Sequence, residues 1–135
     1  MSIDYVPPTM PEPPYRALLL GSAMPGWYES SDQERSERLI PRMTALMDEW
    51  ERLGARLIAS FDDDLFVAGL PAGLQYSIYL LFEVDRLDTL VGMMQSLRQT
   101  VDGVRLDNYL RFEARVGRAL FFASDGPIRA AAGRG

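Results

Sequence analysis

Residues 75–85, "QYSIYLLFEVD", carry the clearest strand pattern of the chain. Ile78, Leu80 and Phe82 occupy every second position, the period at which strand side chains share one face of a sheet. The opposite positions hold polar and aromatic side chains, among them Tyr79. The pattern therefore predicts a strand with one core face and one face of mixed character.

Hydrophobic periodicity on both sides of this stretch predicts three more strands and two helices. The strands are expected in residues 15–24, 55–61 and 109–123, and the helices in residues 31–54 and 86–100. The resulting order, βαββαβ, consists of two split βαβ units, which give a four-stranded antiparallel sheet with both helices on one face. The predicted fold class is therefore α+β with a ferredoxin-like topology.

The first helix carries a signal at each end. Ser31 and Glu34 have the S-x-x-E spacing of a capping box, and Gly54 suits the position just after a helix. Apolar residues between them recur at spacings of three and four, and Trp50 lies on this stripe, so we expect its ring in the core. Pro41 interrupts the pattern and should kink or split the helix, because proline cannot donate a backbone hydrogen bond. We interpret the segment as one kinked helix.

Proline content and apolar content divide the chain into three parts. Residues 1–14 hold five prolines and form a predicted N-terminal arm, which is either a loose tail or a segment that lies on a partner subunit. Residues 15–124 form one predicted domain, and residues 125–135 a flexible C-terminal tail. The chain shows neither a targeting segment nor an apolar run of bilayer length. We therefore expect a cytoplasmic protein that does not bind membranes.

The composition excludes several classes of chemistry. The 135 residues carry a net charge of −5 and contain no His and no Cys, and all 14 basic residues are Arg. These counts argue against a nucleic-acid surface, thiol or Ser-His-Asp catalysis, and a Schiff-base lysine. We expect no cofactor and no metal. The three consecutive acids Asp62, Asp63 and Asp64 lack the spacing of a calcium loop and are typical of a solvated turn.

The sheet face without helices is the predicted functional surface. Tyr79 and Leu81 lie on this face, although both are poorly suited to water. A second subunit packed sheet against sheet would cover them and enclose a cavity lined by aromatic and charged residues, which suits a small apolar or aromatic ligand. We therefore expect a homodimer. The alternative is a solvated face held by Arg–Glu pairs across the strands.

The stretch "PGWYESSDQER", residues 25–35, places two large aromatic residues before a polar segment. Trp27 and Tyr28 follow the first strand at the end of the sheet, where they could cover the cavity as a lid. Alternatively, they pack locally as a hydrophobic staple ahead of the helix. Arg35 is either a clamp for an anionic group beside the lid or a solvated helix residue.

Five short motifs resemble a known family: "PGWYESSDQER", "FDDDLF", "YSIYLLFEVDRLDTL", "SLRQT" and "YLRFE". Together with the βαββαβ order, they are similar to the dimeric α+β barrel (ferredoxin-like) superfamily and, within it, to the darcynin-like group. The resemblance implies a homodimer with a central cavity, and the wider superfamily includes cofactor-free monooxygenases, isomerases and cyclases that act on aromatic or polyketide-like compounds. The residues that match the group's pattern are Trp27, Arg35, Asp62, Phe66, Glu83, Arg98, Tyr109 and Glu113.

Two hypotheses for function are considered first. A third, lower one is that the protein is a purely structural dimer with dry sheet faces. The first is an enzyme of the cofactor-independent oxygenase, isomerase or cyclase type, and the second is a non-catalytic binding or accessory protein with the same cavity. In the enzyme, carboxylates of raised pKa would carry protons, phenols would orient the substrate, and guanidinium groups would stabilise an enolate or carboxylate. The candidate proton carriers are Asp62, Glu83 and Glu113. The candidate phenols are Tyr79 and Tyr109, and the candidate guanidinium groups belong to Arg98 and Arg35.

Overall fold

The computed structural model describes residues 4–69 and 76–123, which form three helices and two sheets. Helix α2 has three consecutive parts, of which the second is a π-helical turn. The elements in chain order are β1 (Tyr15–Ala23), α1 (Pro25–Glu29), α2 (Asp32–Glu34, Arg35–Leu39 and Ile40–Arg52), β2 (Arg56–Asp62), β3 (Ile78–Val84), α3 (Leu87–Ser96), β4 (Thr100–Val101), β5 (Val104–Arg105), a 3-10 turn (Leu106–Asn108) and β6 (Leu110–Gly117).

The main sheet has four antiparallel strands in the order β2-β3-β1-β6. Leu19 of β1 lies opposite Leu80 of β3 on one side and Ala114 of β6 on the other. The predicted α+β class and four-stranded antiparallel sheet are confirmed, and the arrangement is compatible with a ferredoxin-like fold. Two elements were not predicted: the short helix α1 and the separate β4–β5 hairpin.

The core lies between one face of this sheet and helices α2 and α3. Trp50 of α2 is fully buried, as the sequence predicts, and its ring meets Phe82 and Phe112 edge to face at 5.8 and 5.9 Å. Its indole nitrogen donates to Ser96 Oγ of α3 at 2.8 Å, and that hydroxyl donates to the Met93 carbonyl oxygen at 2.6 Å. This chain of hydrogen bonds joins the two helices inside an apolar core and satisfies both buried side-chain donors.

Helix α2 begins with the predicted cap and continues through Pro41. Ser31 Oγ accepts the Glu34 N–H at 3.1 Å, which confirms this part of the capping box. The Ile40 N–H donates to the Arg35 carbonyl oxygen, five residues earlier, in the π-helical turn that precedes the proline. Because a proline ring crowds the preceding turn, the wider π turn gives it room without a break in the helix. Gly54 then ends the helix with a φ of 105°.

Helical spacing in residues 87–101 predicts a second apolar stripe, and the structure confirms it only in part. The predicted residues are Leu87, Leu90, Val91, Met94, Leu97 and Val101. Leu90 and Leu97 are buried as expected, but Leu87 and Val91 are exposed, and the fully buried residue of α3 is Met93. The cause is the orientation of α3 on the sheet, because helical spacing alone does not select which of two adjacent apolar positions faces the core.

The proline-rich arm lies against the end of the same chain's last strand. The Tyr5 ring meets the Phe121 ring edge to face at 5.9 Å, and Arg118 Nη1 donates to the Pro7 carbonyl oxygen at 3.1 Å. The arm therefore packs on its own chain in these contacts and not on a second subunit. The predicted tail, residues 125–135, lies outside the described residues. In the part of the chain that the structure describes, no helix has both the length and the apolar character needed to cross a bilayer.

Replacing Ser96 with alanine should lower the free energy of unfolding by about 1–3 kcal/mol, because the buried Trp50 N–H would lose its acceptor. Urea denaturation measures the change. Ser36→Ala, on the exposed side of α2, is the matched control and should stay within about 0.5 kcal/mol of the original protein. Equal stability of the two variants would show that the Trp50–Ser96 bond contributes nothing.

Candidate functional site

The face of the main sheet that points away from α2 and α3 is called the open face below. Its residues follow from the strand register, since directly opposed residues of antiparallel strands point to the same side. They are Arg16, Leu18, Leu20 and Ser22 of β1, Arg56, Ala59 and Phe61 of β2, Tyr79, Leu81 and Glu83 of β3, and Arg111, Glu113, Arg115 and Gly117 of β6.

A β-bulge in β2 places an aromatic pair on the open face. Strict alternation predicts that Leu57 and Phe61 share one face, and this prediction is wrong. Leu57 lies opposite the buried Phe82, whereas Phe61 lies opposite Tyr79, because the register shifts at Ile58. The extra residue of a bulge reverses the facing of every later side chain in the strand. The Phe61 and Tyr79 rings consequently stack, with centroids 4.8 Å apart and planes 20° apart.

The same bulge separates Asp62 from the other candidate acids. Asp62 lies opposite Ile78, on the helix side of the sheet, whereas Glu83 and Glu113 belong to the open face. A hydrogen bond with Asp62, followed by repulsion from the same carboxylate, raises the pKa of the exposed Asp64 carboxyl. Asp62 therefore interacts with its neighbour in the turn and does not lie beside Glu83 or Glu113.

Apolar side chains of the open face and its edge are exposed to solvent. Strand β2 is an edge strand with all seven residues exposed, and Phe61 and Ile58 keep 63% and 53% of their accessible area. Leu18, in the centre of the sheet, keeps 37%. Leu20 of the same face is buried. Apolar side chains exposed on one face of a sheet are typical of binding sites and subunit interfaces.

Glu113 is held by two donors on the open face. The Tyr76 hydroxyl donates to Oε1 of Glu113, and Arg115 Nε donates to Oε2 at 2.8 Å. The Tyr76 hydrogen bond, and after it the Arg115 hydrogen bond, lowers the pKa of the Glu113 carboxyl, while the same carboxylate raises the pKa of the Tyr76 phenol. Glu113 is consequently an ionised acceptor at neutral pH with a donor on each oxygen.

Alternation extended back from Ile78 predicts that Tyr76 lies on the core face, but its hydroxyl contacts Glu113 of the open face. The residue precedes the first residue of β3, Ile78, so the alternation of that strand does not apply to it. Tyr79 holds a neighbouring position: its hydroxyl donates to Asp63 Oδ2 at 2.9 Å, and this contact raises the pKa of its phenol. Each of the two phenols therefore donates to one carboxylate, Tyr76 to Glu113 and Tyr79 to Asp63, and the second pair lies beside the Phe61 ring.

Glu83 lies at the opposite end of the open face. It faces Arg56 across β2 and β3, with Arg56 Nη2 at 3.8 Å from Glu83 Oε2 and at 3.1 Å from Asp85 Oδ1. Because all three side chains are well exposed, these ion pairs contribute little to stability. Glu83 and Glu113 are separated along the sheet and do not form a pair of catalytic carboxylates.

Trp27 and Arg35 form a unit around α1. The Arg35 guanidinium lies over the Trp27 ring at 4.9 Å, and its Nε and Nη2 donate to the Trp27 carbonyl oxygen at 3.2 and 2.6 Å. Gly26 permits this position, since a Cβ there would approach the Asn108 carbonyl oxygen to 2.4 Å. Trp27 packs against the core, whereas Tyr28 is exposed. The donors of Arg35 that a bound anion would need are largely occupied by the end of α1.

The remaining candidates lie away from the open face. Phe66 is 82% exposed on the loop after β2, and Arg98 is exposed just after α3. Tyr109 is half-buried, and its carbonyl oxygen accepts the Met24 N–H at 2.8 Å. Of the predicted site residues, the structure brings Tyr79 and Glu113 onto one face, on either side of Leu20 of β1, with Glu83 at the far end of that face.

Among residues 4–69 and 76–123, no group of three or more acidic residues has the geometry of a metal site. No protein-family model, curated protein or solved structure matches the chain. The resemblance to the darcynin-like group therefore stays a prediction.

Removing the Tyr76 hydroxyl should raise the pKa of Glu113 toward its ordinary value of 4.5, because the main donor to its carboxylate is lost. Carbon-detected NMR titration of Tyr76→Phe measures this change. Tyr79→Phe is the matched control, since its hydroxyl donates to Asp63 and not to Glu113. An unchanged Glu113 pKa in Tyr76→Phe would contradict the described contact.

The lowered pKa of Glu113 also determines in which direction the stability of the protein changes with pH. The folded-state pKa of Glu113 is lowered, so its stabilising contribution is present above pH 4.5 and is lost as the pH falls through the lowered value. The stability difference between the original protein and Glu113→Gln should accordingly shrink on acidification below pH 4.5. A difference that grows toward acid pH would contradict this assignment.

Proposed function

We propose that the protein is a homodimer that packs open face against open face and binds a small apolar or aromatic ligand between the two sheets. The observation that carries the proposal is the Phe61–Tyr79 stack, in which an exposed Phe61 ring lies on a half-buried Tyr79 ring, on a sheet face that also exposes Leu18. Covering one such side chain contributes about 1.5–3 kcal/mol. Aromatic rings beside a few well-placed polar groups are the usual composition of a ligand pocket.

A second copy of the chain is the proposed cover for this face. In a two-fold interface the same patch occurs on both subunits, so one apolar face provides both halves of the contact. The rim carries ion pairs such as Arg115–Glu113, which suits the polar border of a subunit interface. The strand order β2-β3-β1-β6 supports a dimeric α+β barrel as the architecture of this dimer.

Binding is better supported than acid–base catalysis. Both oxygens of Glu113 have donors and the pKa of the group is lowered, which makes it a weak base at neutral pH. Glu83 pairs with Arg56, and Asp62 lies on the other side of the sheet. For an oxygenase, isomerase or cyclase to use Glu113, its substrate would have to displace Tyr76 or Arg115 first. We therefore propose the non-catalytic binding protein as the primary function.

Phe61→Glu should convert the dimer into a monomer, because it replaces an apolar ring of the proposed interface with a charge. Light scattering at micromolar concentration measures the mass. Ser60→Glu introduces the same side chain one residue earlier in β2, on the helix side of the sheet, and should leave the dimer intact. A monomeric original protein, or a Phe61→Glu variant with an unchanged dissociation constant, would refute the interface.

Aromatic ligands should raise the unfolding temperature in a saturable manner without being consumed. A ligand present at 100 times its dissociation constant stabilises the folded state by about 2.7 kcal/mol. Thermal unfolding detects the binding, and chromatography of the same mixtures detects turnover. A reaction product would support the enzyme hypothesis instead. An unfolding temperature that stays unchanged with every aromatic and polyketide-like compound of a broad panel would contradict the ligand site.

A further inference from the structure

A separate cavity of about 220 Å³ lies between helix α2 and the β4–β5 hairpin. One wall includes residues of the π-helical turn together with Pro41, and the other is the hairpin around Asp102. π-Helical turns occur frequently at functional sites. The described residues that line the cavity belong to α2 and the hairpin, so this site is distinct from the open face.

Arg42 of α2 contributes a buried guanidinium group to the cavity wall. Its side chain is 5% exposed, and its Nη1 and Nη2 donate to Glu49 Oε1 and Oε2 at 3.2 and 3.4 Å. The buried Nε has no partner among the described residues. An arginine carries five N–H groups, so this ion pair engages only part of them. Because a buried N–H without an acceptor is costly, the group favours an acceptor that a ligand would supply.

Arg38, one helical turn before Arg42, brings a second guanidinium group to the same cavity. It makes no hydrogen bond or ion pair with the described residues. Its Nη2 lies against the hairpin turn, since a Cβ at Gly103 would come within 3.1 Å of that atom. Two guanidinium groups with unengaged donors suit a carboxylate, which is planar and accepts parallel hydrogen bonds from such groups.

The acids of the cavity wall restrict the charge of the ligand. Glu49 is paired with Arg42, Glu37 accepts from the neutral Gln33 at 3.3 Å, and Asp102 has no partner among the described residues. A simple anion would add to a wall that already carries more negative than positive side chains, whereas a ligand with both a carboxylate and an ammonium group would not. The charged residues of the wall are Arg38, Arg42, Glu37, Glu49 and Asp102.

We propose that this cavity binds a small zwitterion of the α-amino acid class. The ligand carboxylate accepts from Arg42 and Arg38, and its ammonium group donates to Asp102 and Glu37. The cavity suits a molecule of this size, because pockets for drug-sized ligands are larger, at about 300–1,000 Å³. The hairpin is a separate two-stranded sheet, so it can shift and open a path to the Arg42 Nε while the main sheet stays intact.

The experiment compares amino acids with derivatives that lack one of the two charges. Calorimetric titration at neutral pH tests the twenty common amino acids one at a time, and each is paired with its N-acetyl derivative and its amide. We expect at least one amino acid to bind about tenfold more tightly than both derivatives. The Arg42 Nε–H signal in a ¹H–¹⁵N spectrum should shift with that amino acid. Equal binding of either derivative would overturn the zwitterion, and no binding of any amino acid would overturn the site.

Arg38→Gln and Arg52→Gln are matched variants of exposed arginines on α2, but Arg52 does not line the cavity. Arg38→Gln should weaken binding about tenfold, and Arg52→Gln should leave it unchanged. Asp102→Asn keeps the turn, since asparagine also tolerates the φ of 52°, and should lose the preference for the amino acid over its N-acetyl derivative. Unchanged binding by Arg38→Gln would overturn the site. Phe61→Glu should bind the amino acid as the original protein does, which separates this site from the proposed dimer.

Discussion

Both long helices pack on one face of the sheet, and this one-sided cover is the constraint from which the other features follow. Trp50 and Ser96 fix the two helices to each other in the core, so neither helix is available for the opposite face. The apolar side chains of that face, Leu18 and Phe61 among them, consequently remain in contact with water in a single chain. Their exposure motivates the proposal of a homodimer that binds a ligand between its sheets.

Features that depend on one element and its nearest neighbours in sequence could be predicted. Ser31 and Gly54 mark the ends of α2 because caps are local interactions, and Trp50 is buried because a helical stripe selects one face. The main sheet followed from the alternation of β3 and from the order of the elements. Pro41 was correctly placed within one helix, whereas the π turn that accommodates it carries no signal of its own in the sequence.

Features that depend on contacts between elements could not be predicted in the same way. The bulge at Ile58 comes from the pairing of β2 with β3, and it moved Phe61 onto the open face and Asp62 off it. The alternation of apolar residues in β2 cannot reveal the extra residue of a bulge, because the same sequence is compatible with either pairing register. Similarly, the sequence predicted Glu113 as a candidate proton carrier, but its lowered pKa results from Tyr76 and Arg115, which only the fold brings to it. The proposal of binding in place of catalysis therefore depends on tertiary contacts.

The bulge also affects the outer edge of β2. An edge strand with exposed Ile58 and Phe61 offers backbone donors and acceptors to any other strand, which is the start of cross-β aggregation. A bulge breaks the regular spacing of these groups and bends the strand, so a flat second strand cannot continue the ladder along its whole length. The irregularity that places the Phe61 ring on the open face thus also makes the exposed edge of β2 a poorer template for the addition of another strand.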